Sequence, residues 1–551
     1  MLFGSLITLI FPFLTQALID KGVLFQSSQI IVLVLLAQLL LFLGSSFFEL
    51  LKNWILLHLG AKISISIISE FLSKLLQLPI KFFDTKLIGD ITQRIGDHSR
   101  IENFITSDSL FTLFSIINFL MLFIVLLIYN FEILLLYLIL TILSVGWTLL
   151  FLKRRKELDY IGFRYRSENQ DSIFEIITGM QEIKLNNFEK FKQEQWEKIQ
   201  LKLFKLETKI LTLNQYQIIG YEFINKFKNI TITFIAANEV IKGNLTLGTM
   251  LSISYIIGQM NSPISQLVSF FRSLQDAKIS VERLDEIHSE KNENSNYEVP
   301  YQECINGDIS LTNLSFQYSG PKSKFVLKDI NLVLPKGKVT AIVGASGSGK
   351  TTLMKLLLKF YSVNFGSIFL GDQNFEDVQP SSWRRKVGTV MQDGFLFSDT
   401  IARNICTNDK FIDEERLYYA LKIANLENFV NSLPLNINTK IGSGGNSISG
   451  GEKQRLLIAR AIYKNPSYLF FDEATSALDA ENEKAIMINL KSFFESKTVL
   501  IIAHRLSTVR DADQIIVLDK GSVVEIGNHE KLTELKGIYF NLVKNQLELG
   551  K

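Results

Sequence analysis

The chain has 551 residues, too many for one compact domain, and 47% of them are hydrophobic, with 42 Phe and a positive mean hydropathy of +0.20. That balance excludes a wholly soluble fold and points to a membrane-embedded part. The net charge of +3 is too small for a nucleic-acid-binding face, so no nucleic-acid partner is expected, and the two cysteines, Cys304 and Cys406, lack any paired-ligand spacing and read as isolated core thiols rather than a disulfide or zinc site.

The apolar residues are concentrated before residue 275. Residues 1–18, 30–59, 110–129 and 131–152 read as spans, since about 20 apolar residues are needed to cross the hydrocarbon layer. Residues 216–241 and 247–271 are weaker candidates whose polar content suits a face turned to protein or a cavity, giving six spans in all. The first stretch, broken by Pro12, lacks the basic start and small-residue cleavage site of a signal peptide. Segments after spans one, three and five are short: 20–29, Asn130 and 238–246. Those after spans two and four are long and rich in Lys and Arg, including Lys153-Arg154-Arg155-Lys156, which marks them and the C-terminal half as cytoplasmic. Ile63, Ile67, Phe71 and Leu75, and less regularly Leu201, Phe204 and Leu211, recur at helical spacing, so the spans are expected to continue as helices into the cytoplasm.

Polar groups inside the spans have two readings. Glu49 with Lys52, and Glu222, Asn225, Lys226 and Asn229, either line a water-filled path for a polar cargo or form an internal ion pair with lysines that snorkel to the membrane edge. Snorkelling is the expectation for Lys226 and Lys228; Glu49 is left open. From 278 to 303 the chain turns rich in Glu, Asn and Ser, a linker composition. These changes divide it into a membrane domain over 1–288, a linker over 289–303 and an α/β domain over 304–551.

The α/β part carries the chemistry. Gly344-Ala345-Ser346-Gly347-Ser348-Gly349-Lys350-Thr351 is a P-loop, preceded by the apolar strand Val339-Thr340-Ala341-Ile342-Val343 and followed by a helical run that opens on Thr352. Its backbone N–H groups and the helix N-terminus suit phosphate oxygens. Lys350 suits the β- and γ-phosphates of ATP, and the Thr351 hydroxyl suits Mg²⁺. Tyr468-Leu469-Phe470-Phe471-Asp472-Glu473 is a buried strand ending in two carboxylates: Asp472 placed to hold Mg²⁺ through water, Glu473 placed to polarise an attacking water.

Further motifs carry a resemblance. Ser447-Ile448-Ser449-Gly450-Gly451-Glu452-Lys453-Gln454-Arg455 is similar to the signature motif of ATP-binding-cassette (ABC) proteins. Ala474-Thr475-Ser476-Ala477-Leu478-Asp479 resembles their D-loop, Ala503-His504-Arg505-Leu506-Ser507 their switch-histidine segment, Val390-Met391-Gln392-Asp393 their Q-loop and Phe316-Gln317-Tyr318 their aromatic A-loop. All occur in the family's order, and with the six spans they resemble an ABC exporter half-transporter over essentially the whole chain. The fold this implies is a membrane all-α six-helix exporter domain followed by an α/β P-loop ATPase domain. The resemblance implies that Tyr318 stacks on adenine and that Gln392 touches Mg²⁺ and senses the membrane domain. It also implies that Ser449 and Gly451, in the signature segment Ser449-Gly450-Gly451-Glu452, cap the γ-phosphate of ATP held by a second subunit. Asp479 then crosses the dimer interface, and His504 stabilises the γ-phosphate and the attacking water.

The chain departs from the family at Ile448 and Glu452, where Leu and Gln are usual, and in Gly442-Ser443-Gly444-Gly445, which lacks an acidic residue often found before the signature. Glu452 is expected to add negative charge near a phosphate site and so to alter nucleotide affinity or rate. Lys81-Phe82-Phe83-Asp84-Thr85 and Gly179-Met180-Gln181-Glu182-Ile183-Lys184 resemble the coupling helices that dock onto cassettes. Residues 89–102 are similar to bacterial exporters of peptides and bacteriocins. Many of these carry an N-terminal cysteine-peptidase domain, for which this chain has no room before its first span; such a domain is either absent or outside this chain. The resemblance therefore implies ATP-driven export across the cytoplasmic membrane by a dimer, a homodimer being favoured, with a peptide cargo. A lipid, drug or other hydrophobic cargo is the alternative, and a membrane-anchored ATPase that regulates a partner without transport is the alternative from another class.

Overall fold

A computed structural model of the chain describes residues 7, 9–86, 88–295, 306–318, 320, 323–407, 409–442, 448–503 and 509–549. The chain divides into two compact units, Met1–Leu78 with Phe82–Lys291 and Pro79–Lys81 with Asn292–Lys551.

The first unit is helical. Helix α1 (Ile10–Ala17) runs on through a π-helical turn, Leu18–Val23, and α2 covers Ser28–Leu76. The short α3 (Ile80–Thr85) precedes α4 (Ile88–Asn103), which continues through a second π-helical turn, Phe104–Asp108, into α5 (Ser109–Tyr129). Then come α6 (Phe131–Leu149), α7 (Leu152–Thr178), the short α8 (Met180–Leu185), α9 (Glu189–Ile241) and α10 (Leu247–His288). Helical segments thus occupy the second to sixth expected span positions and the described part of the first, and the two resemblance-assigned coupling segments are short helices between long ones. Among the described residues, Ser28–Leu76, Ile88–Tyr129 and Phe131–Thr178 are long and apolar enough to cross a membrane. The last two candidates are helical but more polar.

Local chemistry sets the turns. Asn130 alone separates α5 from α6, and its side-chain oxygen accepts from Glu132 N and Ile133 N at 2.8 and 3.0 Å, so it caps the incoming helix. Thr246 caps α10 through Thr249 N, and Asp20 accepts from the Thr246 hydroxyl at 2.7 Å and from Gly248 N at 3.0 Å. This bond joins the first short connection to the last. Leu122, Leu126, Tyr137, Ile232, Ile253 and Ile256 form one core where α5, α6, α9 and α10 meet.

The intramembrane polar groups resolve as follows. Lys52 pairs with Glu49 at 3.2 Å, the internal ion pair. Lys228 does not snorkel: it is 0% exposed, donates to the Thr141 hydroxyl at 3.2 Å and lies 4.2 Å from the centre of the Tyr137 ring. The helix α9 turns this lysine toward α6, so its ammonium is solvated by a hydroxyl and a π face instead of headgroup water.

Beyond the apolar core, α4, α7 and α10 are clamped by charge. Arg283 pairs with Asp97 and Asp159, both at 3.0 Å, and stacks 4.1 Å from the Phe163 ring. Arg100 reaches Asp159 at 3.2 Å, and Arg94 reaches Glu286 at 2.7 Å.

The second unit is α/β. An antiparallel sheet takes the order β2-β1-β4-β5 from β1 (Ile309–Phe316), β2 (Leu327–Leu334), β4 (Phe365–Leu370) and β5 (Gln373–Asn374). A second sheet takes the order β12-β11-β3-β10-β9-β6, from β3 (Val339–Val343), β6 (Val387–Val390), β9 (Tyr468–Asp472), β10 (Thr498–Ile502), β11 (Gln514–Asp519) and β12 (Ser522–Gly527). Only β12 is antiparallel in it. Strict alternation splits the parallel strands between two cores: Leu469, Phe471, Val499 and Ile501 on one face, Tyr468, Phe470, Leu500 and Ile502 on the other. A parallel sheet covered on both faces needs such wholly apolar strands. Cys406 is buried and free, an isolated core thiol; Cys304 lies outside the described residues. Glu293, in the segment read as linker, makes a two-pronged pair with Arg384 at 2.8 and 2.6 Å.

Candidate nucleotide site

The register of the parallel sheet assembles the site. Ile502 of β10 stands beside Ile342 of β3 on one side and Asp472 of β9 on the other. The P-loop and the carboxylate pair therefore leave the same carboxyl edge of the sheet, where α/β folds bind ligands. Helix α11 (Lys350–Leu357) starts directly after Gly349, whose φ of +103° is a left-handed conformation that glycine adopts without strain.

Lys350 Nζ donates to the carbonyls of Gly344 and Ala345, each at 2.9 Å, which curls the loop around the ammonium. Burial lowers the Lys350 pKa, while the Glu473 and Asp472 carboxylates oppose that shift. Asp472 is fully buried, and among the described residues neither of its oxygens has a hydrogen-bond partner of good geometry, nor does the buried Ser348 hydroxyl. Burial pushes the Asp472 carboxyl above the usual aspartate range; the nearby Thr351 hydroxyl and Lys350 work against the rise. Buried oxygens left without partners cost stability. They are also the donor set a hard cation takes, so Asp472 and Thr351 fit Mg²⁺.

Because its folded pKa is raised, Asp472 binds more protons folded than unfolded across that window, and stability falls as pH rises through it. Asp472→Asn is expected to raise the thermal midpoint of the α/β unit at neutral pH in chelator-treated protein, with the gain shrinking as pH is lowered. A scanning calorimetry series in which Asn gains nothing at neutral pH would contradict this.

Glu473 takes φ +50°, rare for a residue with a side chain, just past the end of β9. Its N–H donates to Ile502 O at 3.0 Å, and its carboxylate accepts from Gln392 Nε2 at 3.1 Å. Tyr318 presents an exposed ring, set edge-on to Phe316 and Tyr361, and its hydroxyl meets that of Thr352 at 3.0 Å. The P-loop, Gln392, Asp472 and Glu473 are thus brought together. His504, Arg505, Leu506 and Ser507 lie outside the described residues, as do residues 443–447; Ala503, which opens the segment, is described and buried.

The signature segment opens helix α16, Gly450–Tyr463 (α12 to α15 being Pro380–Lys386, Ile401–Ile405, Glu414–Ile423 and Glu427–Ser432, with strands β7 and β8 at Asp399–Thr400 and Lys440–Ile441). Ser449 Oγ accepts from Glu452 N at 3.2 Å, and Glu452 Oε2 accepts from Ser449 N at 2.7 Å, a complete capping box. This gives Glu452 a local structural task that Gln performs equally well. Ile448 packs against the core, where any aliphatic of its size serves. We expect Glu452→Gln to change stability by less than about 0.5 kcal/mol, and Glu452→Ala to cost roughly 1 kcal/mol through the lost cap. Equal thermal midpoints for the two variants would rule out the cap. Asp479 leads into α17 (Ala480–Phe493) and accepts from Asn482 at 2.7 Å; Asn482 in turn accepts from Arg455 and Asn425, both at 2.8 Å. The sequence alone assigns no individual role to Gln454, Arg455 or Asn482. The available signal was a polar residue, Gln454, at helical spacing from Leu457 and Ile458 on the buried face of α16.

Comparison with known proteins agrees with this geometry. Residues 1–264 match the ABC transporter transmembrane region, and residues 327–476 match the ABC transporter domain. The chain is 32% identical over 551 residues to the exotoxin translocation ATP-binding protein PaxB of Pasteurella aerogenes, covering 99% of this chain and 76% of that protein. The chain belongs to the ABC transporter family. It is also 32% identical over 548 residues to the alpha-hemolysin translocation ATP-binding protein HlyB of Escherichia coli, covering 99% and 77% of the two chains. A bacterial Atm1-family ABC exporter solved with ATP bound matches with a TM-score of 0.89 at 26% identity, over 99% of this chain and 96% of that one. The transporter is therefore a multi-pass membrane protein with a cytoplasmic ATPase domain, and it couples ATP hydrolysis to export.

Proposed function

We propose that the transporter works as a dimer of two identical chains, by alternating access, and exports a polypeptide. The observation that supports a dimer is where the signature segment leans. Side-chain carbons added at Gly450 or Gly451 would meet Ala477 and Leu478 of the D-loop segment and no atom of the chain's own P-loop. The Ser449 O–H and the N–H groups of Gly450 and Gly451 are then available to nucleotide held by a second copy. Each copy keeps its own Glu473 and His504, which favours a homodimer with two working sites over a heterodimer.

Within each site, the P-loop amides from Gly344 to Gly349 and Lys350 hold phosphate oxygens, and Tyr318 stacks on the base. Thr352 hydrogen-bonds Tyr318 and so braces that ring. Thr351, Gln392 and Asp472 are the residues that would hold Mg²⁺, which when bound neutralises charge on the β- and γ-phosphates. Glu473 polarises the attacking water and takes its proton. His504 donates to developing charge on the γ-phosphate. Asp479 faces the partner across the interface.

Polypeptide cargo is supported by relatives named for translocating exotoxin and hemolysin, proteins 32% identical along almost the whole chain. Stimulated ATP turnover tests it. In reconstituted liposomes, a panel of peptides, lipids and small hydrophobic compounds is expected to show stimulation by peptide. Stimulation by a lipid or drug with none by any peptide would reject this cargo class.

A further inference from the structure

We infer that Gln454 is a positioning residue for Glu473 and ties that carboxylate to the signature helix of its own chain. The inference rests on the reading of Glu473 as the water-activating group. Gln454 lies five residues past Ser449, buried at 8% exposure on the inner face of α16. Its amide is used at both ends. Nε2 donates to Glu473 O at 3.3 Å and to Ser476 Oγ at 3.0 Å; Oε1 accepts from Ala477 N at 2.9 Å.

These bonds fall on the residue whose backbone most needs holding. Glu473 sits at φ +50°, a conformation that is unfavourable for a residue with a side chain and persists only when its surroundings fix it. Its N–H is fixed by Ile502 O, and its carbonyl takes Ser476 N at 3.0 Å as well as Gln454. The peptide groups on either side of Glu473 are therefore held, one by β10 and the other by the signature helix. The carboxylate that leaves from this backbone is held in turn by Gln392 Nε2 at 3.1 Å.

The same side chain also sets the D-loop. By holding Ala477 N, it places Ala477 and Leu478 against the signature glycines: Gly451 leaves only 3.3 Å between a would-be Cβ and Ala477 O. Anything that shifts α16 by engaging its N-terminal residues Ser449 to Glu452 is passed through one rigid amide to Glu473 and to the D-loop together. Gln454 does not touch the reacting atoms, so its effect belongs in turnover and not in nucleotide affinity.

The test uses the full transporter in liposomes with three variants, Gln454→Ala, Gln454→Glu and Glu473→Gln, measuring ATP turnover, KM for ATP and nucleotide binding. Gln454→Glu keeps the length, the packing and the acceptor for Ala477 N, but its carboxylate cannot donate to Glu473 O. Both Gln454 variants are expected to lose about ten- to a hundredfold in kcat with KM and binding near wild type. If Gln454→Ala fails to fold, Gln454→Glu carries the test. Wild-type kcat in Gln454→Glu, or a loss that appears as raised KM, overturns the inference. If Glu473→Gln hydrolyses ATP normally, the reading of Glu473 fails instead, and the two failures are told apart.

Discussion

Glu473→Gln is expected to cut ATP turnover by a factor of about 10² to 10⁴ while leaving ATP binding intact. The amide is isosteric, so the φ +50° backbone, the bond to Ile502 and the packing against β9 and β10 persist. An amide oxygen still accepts from Gln392, which now lies 3.1 Å from the carboxylate. What is lost is a group able to take a proton from water. Lys350, the P-loop amides and Tyr318 remain to bind nucleotide. Equilibrium binding of a fluorescent ATP analogue alongside phosphate release separates the two effects. Weakened binding together with retained turnover per bound nucleotide would show that Glu473 holds ATP instead of activating water.

Arg283→Met is expected to give the largest stability loss in the membrane unit. Arg283 is 4% exposed and pairs at 3.0 Å with Asp97, itself 1% exposed, and at 3.0 Å with Asp159. Removing one partner from a buried pair strands the other charge and costs about 3–5 kcal/mol. Arg100, 3.7 Å from Asp97, remains as a partial substitute, which places the expected cost near the lower end of that range. Methionine keeps much of the contact with the Phe163 ring, so the lost charge dominates. The double variant Arg283→Met, Asp97→Asn is expected to be more stable than the single one, since it removes the stranded carboxylate. Thermal unfolding of the detergent-purified protein reads both. A single variant within about 0.5 kcal/mol of wild type would mean the cluster is solvated and contributes as an ordinary surface pair.

Much of the catalytic edge was legible in the sequence because it is local. A glycine-rich run between an apolar strand and a helix fixes a P-loop, and an apolar strand ending in Asp472-Glu473 fixes the carboxylates. The helical membrane half was legible from hydropathy and from the alternation of short and Lys/Arg-rich connections. Long-range pairing was not. The arginine-centred clamp joins residues 97, 159 and 283, which no periodicity connects. Lys228 read as a snorkelling lysine because a window of sequence cannot tell which face of α9 meets Tyr137 and Thr141. Glu452 reads as an added charge beside phosphate; the sequence does not show that the same carboxylate also caps the backbone of Ser449. Gln454 stood inside a motif whose spacing identifies the signature segment but not which of its side chains turn inward.

Cargo accumulation in sealed proteoliposomes tests the central claim, that hydrolysis at Glu473 drives export. With ATP supplied on the cassette side, wild-type transporter is expected to accumulate a labelled polypeptide cargo in the lumen, and Glu473→Gln to accumulate none above the ATP-free background. Equal accumulation in the two proteins would contradict the account.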